Sequence, residues 1–178
     1  MVTHVALVDE RVYVREGKTI AHNRTPVGTI YTCTTWCNKQ HSTQAVIAGL
    51  AGTAASIRSI LGGNLVLDIH AHGSPGFISV GSSGISIQNI ADVQTWLGVF
   101  KWVNIYACSV AGNSEGVAFC RRLAKDCGVW VRASPKPQHD DEKGGVLRIG
   151  LWEGDVYTFN PKGDLEWIHR DEGNPIRE

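Results

Sequence analysis

The chain has 178 residues with 17 basic and 17 acidic side chains, 43% hydrophobic and 19% charged, the composition of one globular domain able to bury roughly 70% of the surface its unfolded form would expose. Balanced charge, with Arg121-Arg122 the only adjacent basic pair, argues against nucleic acid, which calls for a basic stripe, and no stretch reads as the roughly 20 apolar residues of a membrane span. Five cysteines, an odd number, and a first apolar run without a basic lead predict free thiols in a reducing, cytoplasmic setting.

In chain order, His4 to Val8 reads as a buried strand broken by Asp9-Glu10, Val12 to Val14 as a second short strand, and Gly17 to Pro26 as a polar connector. Thr29 to Cys33 reads as another strand. Cys33, Cys37 and His41 are spaced by four, which on a helix is zinc-ligand chemistry, but no fourth ligand accompanies them and the threonines around them favour strand or loop. Ser42 is placed to cap a helix to Leu61, since Val46, Leu50, Ala54, Ile57 and Leu61 recur at helical spacing and Gly62-Gly63 stops it.

Leu65 to His70 is a short apolar run closed by the turn cluster Gly73-Ser74-Pro75-Gly76, and so reads as a buried strand. A small hairpin, Phe77 to Val80 with Ile85 to Ile87, follows. Ile90, Val93, Leu97 and Phe100 predict a helix on the sheet, and Trp102 to Tyr106 a further strand. The next helix carries Val117, Cys120, Ala124 and Cys127 on one packing face and ends at Gly128; Val129 to Ala133 is then a strand.

Ser134 to Gly145 holds Pro135, Pro137 and the acidic cluster Asp140-Asp141-Glu142, which predicts an exposed flexible loop at the border of a cleft. Val146 to Ile149, Val156 to Phe159 and Leu165 to Ile168 read as antiparallel strands turning at Glu153-Gly154-Asp155 and Pro161-Lys162-Gly163. The alternation predicts a single α/β domain, with a mainly parallel core over about residues 4–134, a loop at 134–145 and β-rich hairpins at 146–169.

Two strand ends carry chemistry: His72-Gly73 beyond Leu65 to His70, and Ala107-Cys108 beyond Trp102 to Tyr106. In an open α/β sheet, ligands bind beyond the carboxyl ends of the strands. An imidazole and a thiol can meet there although far apart in sequence, the usual presentation of a cysteine nucleophile and its histidine.

The blocks Ile69-His70-Ala71-His72-Gly73-Ser74-Pro75-Gly76 and Tyr106-Ala107-Cys108-Ser109-Val110-Ala111-Gly112, followed by Gly116-Val117-Ala118-Phe119 and Val131-Arg132-Ala133-Ser134, resemble the caspase-like, or caspase-hemoglobinase, clan of cysteine peptidases. The closest likeness is to bacterial domains with a similar His-Gly-Ser-Pro-Gly block. It extends to the opening His4 to Asp9. The resemblance implies a caspase-like α/β fold with helices on both faces of the sheet, and an endopeptidase acting on a protein substrate. His72 is then the catalytic histidine and Cys108 the nucleophile, with the backbone N–H groups of Gly73 and Cys108 at the oxyanion. Ala71, where a hydroxyl residue is common, and Ser109, where Asn often stands, depart from the pattern without removing the dyad.

That chemistry requires no metal and no organic cofactor, because a cysteine, with a free pKa of about 8.5, is already a strong nucleophile that a neighbouring imidazole can activate. The substrate pocket stays open between two choices. Asp68, Asp140, Asp141 and Glu142 favour a basic residue before the scissile bond, Arg132 an acidic one. His139, in the loop, and His169, near the tail, read as solvated, and His70 as a core histidine or a neighbour of the site.

Two other functions compete. Gly112-Asn113-Ser114-Glu115-Gly116 matches the nucleophile elbow of serine hydrolases, and Asp155 or Asp164 with His169 would complete the order Ser, Asp, His. Ser114 or Asn113 as an ordinary helix cap explains the same letters. The remaining alternative is a caspase-like binding module whose dyad is unused. Neither the oligomeric state nor the natural substrate is legible.

Overall fold

The structure, a computed structural model, describes residues 2–15, 18–19, 31–138, 141–143, 146–148, 152 and 154–169. Its first strand, β1 (Val2–Asp9), is buried on both faces beyond His4, which is why apolar residues run on instead of alternating. The strand expected at 12–14 begins only at Val14. The Asp9 carboxylate accepts from the Arg11 N–H and bends the chain into a 3-10 turn over Glu10–Tyr13. Val14–Arg15 (β2) then pairs with Lys18–Thr19 (β3).

Tyr31–Cys37 (β4) runs further than the sequence indicates, and residues 29–30 of the expected strand lie outside the described residues. The helix α1 (Thr43–Leu61) has the expected limits: the Ser42 side chain accepts from Ala45 N–H, and Gly62 leaves the helix at φ 67°. By length and composition alone α1 matches a membrane span, contrary to the sequence expectation. Val46, Ile47, Leu50, Ala51 and Ala54 bury one stripe in the core, however, and Gln44, Ser56, Arg58 and Ser59 lie exposed. That is the pattern of an amphipathic core helix.

Asn64–His70 (β5) leads into a three-stranded sheet of His72–Ser74 (β6), Phe77–Ser79 (β7) and Ile85–Ser86 (β8), of which only the last pair is evident from sequence. The helix expected at 90–100 is a 3-10 segment, Ile87–Trp96, kinked at Asn89 and finished before Leu97, which points to solvent. Trp102–Tyr106 (β9), α2 (Asn113–Cys127) and Trp130–Ala133 (β10) fall where the pattern places them, with Gly128 ending α2 in the left-handed conformation. Asp141–Lys143 (β11) and Val146–Arg148 (β12) form their own ribbon. The expected open loop therefore contains a strand, and β12 does not join Val156–Phe159 (β13) in a hairpin. The turn at 161–163 does join β13 to Leu165–His169 (β14).

The fold is α/β. Its seven-stranded sheet has the order β14-β13-β10-β9-β5-β1-β4, with β4 to β10 parallel and β13 and β14 added antiparallel. The connection from β1 to β4 moves one way across the sheet and every later crossover moves the other. The switch point, where α/β sheets open a crevice, thus lies between the ends of β1 and β5.

Alternate residues Val5, Leu7, Leu67, Ile69, Val103, Ile105, Val131 and Phe159 face one continuous apolar core shared with α1, the 3-10 segment and α2. The described helical segments therefore form one layer instead of flanking both faces. The opposite face carries a buried polar row in direct register: Asp68, Asn104, Arg132 and Thr158, each opposite the next. Beside it Trp102, Trp130 and Trp167 stack at centroid separations of 5.1 and 5.2 Å, and the Arg132 guanidinium lies 4.1 Å over Trp102.

Candidate active site

The ends of β5 and β9 run on side by side. The Ala71 N–H donates to the Tyr106 carbonyl, and the Gly76 N–H to that of Val110. Gly73 sits so close to the second loop that a Cβ there would lie 2.9 Å from the Cys108 carbonyl oxygen and 2.8 Å from Val110 Cγ2. Only glycine fits. This contact puts the residue after His72 directly against Cys108, as the strand pattern requires. The following residue, Ser109, holds φ 52°, a left-handed conformation that non-glycine residues rarely adopt and that clusters at functional turns.

His72 is exposed, and its Nε2 lies 3.0 Å from the Arg11 carbonyl oxygen. A carbonyl only accepts, so Nε2 carries the proton and Nδ1 is the nitrogen left to act as a base. The half-buried Cys108 thiol donates to the Gln138 carbonyl at 3.0 Å and accepts from the Gln138 N–H at 3.4 Å. Imidazole and thiol are thus not hydrogen-bonded to each other in this state. Ser134 to Gln138 is fastened along the nucleophile loop, since Ser109 N–H donates to Lys136 and Ala111 N–H to Ser134. That part of the expected flexible loop is an ordered wall.

The sequence-derived pocket residues fare differently. Asp68 is 2% exposed, its carboxylate bonded to His4 Nδ1 and Asn104 Nδ2 at 2.8 Å each. Arg132 is 6% exposed, within the same polar row. Each is buried in the polar row on the sheet face. Asp140 and His139 lie outside the described residues, and Asp141 and Glu142 are placed in β11 by backbone only.

His70 is buried, stacked on Tyr106 at 5.0 Å, and Tyr106 in turn meets Trp152 at 4.4 Å. Burial pushes the His70 imidazole down to about 4, against the opposing pull of Asp68. The unfolded chain binds that proton near 6.5, so the stability due to neutral His70 is complete above about pH 6.5 and is lost as pH falls towards 4. The full loss is about 3 kcal/mol. Urea unfolding between pH 4 and 7 is expected to show a shallower acid limb in His70→Phe than in the wild type, and parallel curves would contradict this.

Three other thiols, Cys37, Cys120 and Cys127, are poor nucleophiles. Burial raises Cys120, and raises Cys37 and Cys127 to about 12, helped at Cys37 by Asp9. Cys33 and Cys37 lie on strand β4, so the helical spacing with His41 does not arise. Ser114 is exposed in the first turn of α2, where Asn113 caps by accepting from the Glu115 and Gly116 N–H groups. Strand β9 ends at Tyr106, too far ahead of Ser114 for a strand-to-helix elbow.

Sequence reasoning missed Arg11 and Gln138, which act at the site through main-chain atoms. The one available signal was the Asp9-x-Arg11 spacing at a strand end. A family model described as Domain of unknown function (DUF4347) matches residues 27–160, three quarters of the chain. No curated protein and no solved structure matches significantly.

Proposed function

The chain belongs to the DUF4347 family, and we propose that it is a caspase-like cysteine endopeptidase in which Cys108 attacks the peptide carbonyl and His72 gives its proton to the leaving amine. The observation that carries this reading is the contact of Gly73 with Cys108, which sets an imidazole and a thiol on adjoining strand ends beside the switch point. His72 Nδ1 takes the Cys108 thiol proton as the carbon–sulfur bond forms and passes it to the amine as the amide C–N bond breaks; Nδ1 then takes a proton from water, whose oxygen bonds the acyl carbon as the C–S bond breaks, and returns that proton to the sulfur. Backbone N–H groups of Gly73 and Cys108 serve the oxyanion. Five free thiols fit action in a reducing compartment, the cytoplasm.

Alkylation tests the reading without a known substrate. With iodoacetamide and peptide mass spectrometry, Cys108 is expected to react ahead of the equally half-buried Cys33, while Cys37, Cys120 and Cys127 stay unmodified. His72→Ala is expected to erase the lead of Cys108 over Cys33. Equal rates in the wild type would favour the binding module, a reading to which the Gln138 cover on the thiol lends some weight.

A further inference from the structure

We infer that Asp9 is the positioning residue of His72, acting through Arg11. Asp9 is fully buried at the end of β1, where its carboxylate accepts from the Arg11 N–H at 3.1 Å, from Arg11 Nε and Nη2 at 2.6 Å each, and from the Gly81 N–H at 3.2 Å. The two-pronged pairing of guanidinium with carboxylate fixes direction as well as distance. Arg11 Nη2 also donates to the Ser79 and Gly81 carbonyls, at 3.2 and 2.8 Å.

Those contacts converge on one imidazole. The 3-10 turn that Asp9 closes presents the Arg11 carbonyl to His72 Nε2. Ser79, which the Arg11 side chain grips, lies directly opposite His72 in the β6–β7 ladder. The same arginine therefore holds the acceptor for the ring and the strand that pairs with the ring's own backbone. Little in the exposed surroundings of His72 would otherwise choose a tautomer, and the carbonyl selects the one with Nε2 protonated and Nδ1 basic.

The catalytic purpose of this arrangement rests on the Cys108–His72 reading, but the positioning itself does not, so it is measured without substrate. In the full chain labelled with 15N-histidine, neutral His72 is expected as a single Nε2–H tautomer, with well-separated protonated and unprotonated nitrogen resonances. Asp9→Asn, which keeps the volume and loses the charge, is expected to give a mixture of tautomers with converging resonances. Arg11→Ala, which keeps the carbonyl and removes only its anchor from a half-exposed side chain, is expected to do the same and serves if Asp9→Asn does not fold. Arg11→Lys is expected to restore the single tautomer in part. An unchanged His72 tautomer in a folded Arg11→Ala protein would overturn the inference and leave Asp9 a purely structural acid. Failure of the peptidase reading would appear separately, as equal alkylation of Cys108 and Cys33 with the tautomer still fixed in the wild type.

Discussion

Cys108→Ala is expected to abolish cleavage of every peptide that the wild-type protein accepts, while its melting temperature changes little. The thiol is half-buried and its hydrogen bonds are to one residue, Gln138, so its removal costs only about 1 kcal/mol of stability. Nothing replaces it in the reaction. His72→Ala is expected to lower turnover by about 10²- to 10⁴-fold, the usual contribution of a general acid–base. His169→Ala, at the end of the edge strand β14, and Ser114→Ala, at an exposed helix start, should be near neutral. A protein that keeps full activity without Cys108 and loses it without Ser114 would establish the serine-hydrolase alternative instead.

The largest expected loss of stability is at Gly116→Ala. A Cβ there would lie 2.4 Å from the Val110 carbonyl oxygen and 2.9 Å from the Ala111 carbonyl carbon. These are backbone atoms of the nucleophile loop, and they cannot step aside as a flexible side chain can. Either α2 or the loop must move, at about 3 kcal/mol or more. Gly49→Ala provides the contrast: it lies in α1, exposed, with nothing within 4 Å of a new Cβ, and should stabilise by about 0.5–1 kcal/mol. Denaturant midpoints of the two variants are therefore expected to move in opposite directions. A Gly116→Ala protein as stable as the wild type would show that the helix does not seat on the loop this closely.

These contrasts follow how far the sequence can be read. The limits of α1 were legible because Ser42 and Gly62 act on their own neighbours. The end of α2 at Gly128 was legible for the same reason. The turn after β1 was hidden, since it depends on a buried carboxylate meeting its own chain two residues on and Gly81 from far away. Asp68 and Arg132 looked like pocket residues because their charges suit a substrate side chain of opposite sign. Their register opposite Asn104 and Thr158 exists only once the strands pair. Within the site, His72 and Cys108 announce themselves by side chain. Arg11 and Gln138 contribute carbonyls, which every residue has.

The antiparallel seam between β10 and β13 has a bearing on biosynthesis. As the chain emerges from the ribosome, β10 becomes the outermost strand of the parallel core, and its free side is covered only when residues 156–159 arrive to pair with 131–133. Until then a strand with Val131 and Trp130 offers an open edge to any other nascent chain. Messages truncated before β13 should thus yield aggregates instead of soluble fragments. Prolines or charges introduced into β13 should lower soluble yield more than the same changes in the exposed outer strand β14.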